Sequence, residues 1–197
     1  KRTVLTLLLA LLSLPALAQD RNPAAPGFNV EASDAQAIEI ADRVMEALGG
    51  REAWDATRYL TWTFFGDDQV WDKFTGDFRY QKEELVVLMN VNTREGRAWK
   101  GGDEITDAAP LKENLDAAYR AWVNSGYWLL MPFKLKDSGV TLKYVEEGET
   151  AEGNPAHVLQ LTFENVGLTP QNRYLVYVDT NSHLVTQWAF YPTVDAE

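Results

Sequence analysis

The chain has no cysteine and only two histidines among 197 residues. Without cysteine there is no disulfide framework, no thiolate nucleophile, no zinc site built on sulfur and no lipid carried on an N-terminal cysteine. The histidines, His157 and His183, each open an expected strand just after a turn. Two imidazoles complete no zinc site without a carboxylate, for which Asp179 is the nearest by sequence. Asp179-x-Asn181-x-His183 lacks the downstream glycine and glutamate of a calcium loop, so a hairpin turn is the reading there. None of the serines (13, 33, 125, 138, 182) lies in a G-x-S-x-G elbow, and H-E-x-x-H, P-loop and dinucleotide fingerprints are missing. The carboxylate pairs Asp67-Asp68, Glu83-Glu84, Asp103-Glu104 and Glu146-Glu147 fall almost entirely in expected turns, not across a cleft as glycoside hydrolysis requires. No catalytic residue, metal or cofactor is expected, and the protein reads as a non-enzyme.

Basic residues are scarce as well: 18 Lys and Arg stand against 29 Asp and Glu, a net charge of −11. An acidic chain is a poor partner for polyanions, which argues against nucleic acid and against tight docking on anionic lipid. The one long apolar run lies at the start. Lys1 and Arg2 precede TVLTLLLALLSLPAL, and Ala16-Leu17-Ala18 fits small-x-small cleavage. Residues 1–18 therefore read as a signal peptide, shorter than the roughly 20 residues of a membrane span. The expectation is a periplasmic protein, with secretion as the alternative, that is not membrane-integral. DRNPAAPGFN (20–29) carries two prolines and a glycine, so 19–32 reads as a flexible leader. No repeat or internal linker interrupts 33–197, which reads as a single domain.

What is present is periodicity. Ser33-Asp34-Ala35-Gln36 matches a capping box, Ile38, Ala41, Val44, Met45 and Leu48 follow at helical spacing, and Gly49-Gly50 supplies a stop. This predicts a helix over 34–48. The period then changes: 58–66, 69–75, 77–82, 84–92 and 96–102 are rich in aromatic and β-branched residues with short turns between, an antiparallel meander. In 58–66, Leu60, Trp62 and Phe64 share one face, with Tyr59 and Phe65 on the other. In 84–92, Leu85, Val87, Met89 and Val91 alternate with Val86 and Leu88. Strands apolar on both sides call for cover on both, or for a cavity on one. Leu111, Leu115, Ala118, Tyr119 and Trp122 restore helical spacing behind Pro110. That helix runs into GYWLLMPF (126–133), where Pro132 is expected to end the local structure. Strands follow at 140–146, 156–165, 173–179 and 183–191, the last two joined by an Asp179–Ser182 turn.

ALGGREAW (47–54), WLLMPFKLKDSGVTLKY (128–144), LTPQNRYLVYVD (168–179) and HLVTQWAFY (183–191), in this order of elements, resemble an uncharacterised exported bacterial family. That family is similar in outline to the periplasmic carriers that sort lipoproteins to the outer membrane. The resemblance implies an α+β fold: a strongly curved antiparallel half-barrel with an N-terminal helix and a central helical lid insertion, its concave face taking acyl chains. For the arginine that helps hold the carriers' lid shut, Arg58, Arg79 and Arg97 are all open.

The expected function is thus a non-catalytic carrier for a hydrophobic small molecule, lipid or lipoprotein acyl chain. Its cavity would be lined by Trp62, Phe64, Val87, Met89, Tyr119, Trp122, Trp128, Leu129, Met131 and Trp188. Methionine adapts to irregular partners, and Trp and Tyr combine large apolar faces with a polar tip. The rival reading has the same aromatic residues filling the barrel, leaving a module that binds an envelope protein through its rim. A hydrolase with an unrecognised site is the third.

Overall fold

A computed structural model describes residues 21–196. The signal peptide read over 1–18 lies outside the described residues.

The order of elements is α1 (Ala35–Ala47), α2 (Arg51–Ala56), β1 (Tyr59–Phe64), β2 (Asp67–Asp72), β3 (Asp77–Lys82), β4 (Leu85–Asn90), β5 (Gly96–Lys100), β6 (Asp103–Glu104), α3 (Ala108–Leu130), a 3₁₀ turn (Met131–Lys134), β7 (Val140–Glu149), β8 (Pro155–Phe163), β9 (Arg173–Asp179) and β10 (Val185–Tyr191). The protein is α+β with antiparallel sheets and a central helix. The first six strands form one meander and the last four another, in the order β10-β9-β8-β7. Among the described residues no closed barrel forms.

Two cores result. Ala37, Ile40, Ala41 and Val44 on one face of α1 meet Leu142, Leu159, Leu161, Val176 and Val178 of the four-stranded sheet. Trp62, Phe78, Tyr80, Val87, Met89 and Ala98 of the six-stranded sheet meet Ala118 of α3, with Leu111, Leu115, Tyr119 and Trp122 half-buried beside them. The long helix serves both: its first part lies on one sheet, while Tyr127 and Met131 pack into the core of the other. α2 links the turn after β2 to the 3₁₀ segment. Trp54 stacks on Phe133 at 4.6 Å, and Lys73, from the turn after β2, places its Nζ 4.4 Å from the Trp54 ring.

Two expectations are corrected. The segment read as a flexible leader is fastened to the fold from residue 22 onward. Phe28 is buried, Ala25 N–H donates to the Lys136 carbonyl at 2.9 Å, and Asn22 donates to Asp42 at 2.8 Å. The reason lies at the edge of β7, whose outward backbone groups find partners there. Asn29 and Asp34 N–H donate to the carbonyls of Val140 and Leu142, and the N–H groups of Leu142 and Tyr144 donate to Ser33 Oγ and Asp34 Oδ2. Residues 29–34 thus seal an open sheet edge. For the same reason the capping box does not form: Asp34 is the N-cap without a side-chain cap bond, because its carboxylate and the Ser33 hydroxyl are engaged with β7.

The second correction concerns the two-sided apolar strands. The faces carrying Trp62, Val87 and Met89 turn inward, whereas Tyr59 and Leu88 on the opposite faces stand in solvent. What lies over Tyr59 is the guanidinium of its sequence neighbour Arg58, 4.9 Å from the ring centre. The expectation for 127–131 agrees with the structure: α3 continues to Leu130 and ends just ahead of Pro132, which sits in the first turn of the 3₁₀ segment, where its missing N–H costs nothing.

Candidate functional site

The ten residues expected to line one cavity fall into two groups. Trp62, Phe64, Val87, Met89, Tyr119 and Trp122 belong to the interface between α3 and the six-stranded sheet. Val87 and Met89 are closed off from solvent there, while Phe64, Tyr119 and Trp122 are half-exposed. Trp128, Leu129, Met131 and Trp188 come together elsewhere, at the end of α3 beside β10.

That second place is a cleft of about 240 Å³. One wall is Trp128, Leu129, Met131 and Pro132; the other is Val185, Thr186, Gln187 and Trp188. Val185 to Trp188 are four consecutive residues of β10, an edge strand whose pairing with β9 slips between Val185 and Gln187. None of the eight residues is ionisable. Trp128 and Leu129 are 37% and 44% exposed, whereas Met131, at 1%, forms the buried floor. Trp128 and Trp188 meet edge to face at 4.3 Å across the cleft, and Trp188 stacks on Tyr174 at 4.9 Å. Tyr127 lies behind, within 6.0 Å of Phe163, Tyr174 and Trp188. Its hydroxyl is buried with no hydrogen-bond partner among the described residues, and burial pushes its pKa well above the ordinary tyrosine value.

Between the two groups sits a buried polar node that apolar periodicity gives no sign of. Trp62 Nε1–H donates to Ser125 Oγ at 3.3 Å, and the Ser125 hydroxyl lies 2.8 Å from Gln69 Oε1 and 2.6 Å from the Ala121 carbonyl, its one proton shared between those two acceptors. Gln69 and Ser125 are both buried.

The sequence reading also missed Pro132, Val185, Thr186 and Gln187. Strand alternation gives no reason to group consecutive residues of β10 on one wall. His157, His183 and Asp179 assemble no centre. Asp179 Oδ1 accepts from the backbone N–H groups of Asn181 and Ser182 and from the Ser182 hydroxyl, the hairpin turn expected there. Among the described residues no group of three or more His, Cys, Asp or Glu is placed to hold a metal ion, and no helix is long and apolar enough to cross a membrane. No protein-family model, curated protein or solved structure matches the chain.

Proposed function

We propose that the protein is a non-catalytic binding or carrier protein for a hydrophobic ligand, a lipid or a lipoprotein acyl chain, acting in the periplasm after loss of residues 1–18. The observation that carries this reading is the cleft between α3 and β10: an uncharged, open cleft of about 240 Å³ lined by Trp128 and Trp188 together with the polar Thr186 and Gln187, in a chain of net charge −11. Its volume lies just below the roughly 300–1,000 Å³ of small-molecule sites, which suits one stretch of an acyl chain. Burying about half a dozen methylenes at about 0.8 kcal/mol each gives on the order of 5 kcal/mol gross, much of it offset by ordering and association. In this reading the two sheets are walls of a curved half-barrel and α3 is its lid, as in the lipoprotein carriers that the sequence resembles. Uptake and release require movement and no bond chemistry.

The test is extraction of the purified protein with organic solvent followed by mass spectrometry, together with titration of oleate against tryptophan emission. Copurified lipid near one per chain and a saturable emission change support the carrier. A lipid-free protein with unchanged emission removes it. A second reading, an envelope protein-interaction module, is favoured by two observations: the interior beside Val87 and Ala98 is filled, and β10 carries no charged residue along its open edge. Negative lipid results combined with capture of an envelope protein would select it.

A further inference from the structure

The long helix belongs to two cores, and the residue at the crossing is Gly126, fully inside the helix and buried. Glycine in a helix interior is unfavourable relative to alanine, so its presence calls for a reason. Close packing is not one. A methyl group built at Gly126 would find its nearest neighbour, a ring carbon of Trp62, at 3.9 Å, an ordinary contact. Nor does the backbone demand glycine, since its φ is not positive.

The residue before it adds to the case. Ser125 Oγ lies 2.6 Å from the carbonyl of Ala121, the i−4 back-bond that loosens and bends helices, and Ser/Gly pairs are where helices kink. The two sides of this pair are held unequally. Beyond it, Tyr127 and Met131 are packed into or beside the core of the four-stranded sheet and Leu130 is buried, while Trp128 and Leu129 stand in the open cleft. Before it, the apolar residues facing the six-stranded sheet are mostly half-exposed: Leu111, Leu115, Tyr119 and Trp122. The buried polar contacts of Ser125 with Trp62 and Gln69 stand at the boundary itself.

We propose that Ser125–Gly126 is a hinge, about which residues 108–124 swing as a flap off the six-stranded sheet while 127–134 stay seated. The swing uncovers the face bearing Trp62, Val87 and Met89, and Gly126 joins that face to the cleft that begins at Trp128. This rests on the binding reading above and adds how its site enlarges: the cleft is the part open at rest, and the sheet face is the part that opens.

The absence of cysteine provides the test. Val87→Cys places one near-isosteric thiol under the flap, Met89→Cys is a second reporter on the same face, and Leu159→Cys sits in the other core as a control for global unfolding. In native buffer, a thiol reagent should label the reporters at positions 87 and 89 at least about tenfold faster than the control. Gly126→Ala should slow that labelling about threefold, the factor that a helix-interior Gly-to-Ala change implies. Amides of 111–122 should exchange more slowly than the thiols are labelled, because a swinging helix keeps its own hydrogen bonds. Equal rates at 87, 89 and 159 overturn the hinge, as do rates indifferent to Gly126→Ala, and as does amide exchange as fast as labelling, which means unravelling. No ligand enters the assay. A hinge that works in a protein that takes up no oleate supports this inference and removes the binding reading alone.

Discussion

Ser125 accepts the indole N–H of Trp62 across the interface between α3 and the six-stranded sheet, 63 residues away in sequence. The serine and its second partner, Gln69, are closed off from water, so neither can exchange its protein contact for a solvent one. Ser125→Ala strands the indole N–H and the Gln69 side chain. The expected cost is about 1–3 kcal/mol, read as a lower denaturation midpoint at unchanged m-value. Adding Gln69→Leu should recover part of it, because the stranded amide is then gone. A double variant as unstable as the two single losses added would contradict this account.

The N-terminal segment makes a second prediction. Phe28, 8% exposed, is part of the core around α1, although composition marks its surroundings as loop. Phe28→Ala should destabilise by about 3 kcal/mol or more, as for other buried phenylalanines. Ser33→Ala should cost about 1 kcal/mol and expose the Leu142 amide to exchange, since Ser33 Oγ accepts it at 3.0 Å. Wild-type stability in both would mean the segment is a free tail.

These cases show where sequence legibility ends. Alternation in 77–82 and 173–179 and the helical spacing from Ala37 to Met45 place those elements within a residue or two, because they depend on neighbours along the chain. That Leu60, Trp62 and Phe64 share a face follows from the pleat; that this face turns inward depends on α3, nearly fifty residues later. Prolines 23 and 26 mark irregular backbone correctly, yet carry no information about the β7 edge that residues 29–34 bond to. The site divides for a related reason. Spacing is helical over 111–122, but the apolar residues of 127–133 crowd together with no clean period, so nothing local says that Trp122 and Trp128 face different sheets.

Phe65 offers a stabilising change. It forms, with Gly66, the two-residue loop joining β1 and β2, and both have positive φ, 50° and 85°. That turn favours Asn-Gly, whereas a bulky side chain is strained there. Phe65 is also 92% exposed, so little burial is lost on replacing it, beyond its edge contact with Phe64. Phe65→Asn should raise stability by about 0.5–1 kcal/mol. A drop would show that the Phe64 contact outweighs the backbone strain.

Acid should unfold the protein in a window that Asp72 helps define. The Arg58 guanidinium donates to its carboxylate at 2.8 and 3.0 Å, and the Phe74 and Thr75 N–H groups donate to Oδ1. Against desolvation, these hold its pKa at about 2, below the ordinary 3.8. The unfolded chain therefore binds the proton first as pH falls. The contribution is whole above about pH 4 and is lost progressively toward pH 2. Asp34, lowered by its bonds to Lys143 and the Tyr144 N–H, acts in the same direction. Asp72→Asn keeps an acceptor but removes the titration, so melting temperature should fall less steeply between pH 4 and pH 2 than in the wild type. Parallel curves would assign the acid transition to other groups.

The cleft itself is tested at Trp128. Its indole is 37% exposed, so truncation should leave the fold intact, while it removes one wall facing Trp188. A ligand chain lying against the exposed face of Trp128 would lose on the order of 50–80 Å² of apolar contact in Trp128→Ala, about 1–2 kcal/mol, or roughly tenfold in Kd for oleate. Leu88→Ala is the matched control, because Leu88 is 44% exposed but stands on the outer face of the six-stranded sheet, opposite Val87 and Met89. Its Kd should stay at the wild-type value. If both substitutions weaken oleate equally, the fatty acid adheres to exposed apolar surface generally. If neither does, the chain binds under α3 without touching the slot, and Val87→Ala becomes the substitution that must lower affinity.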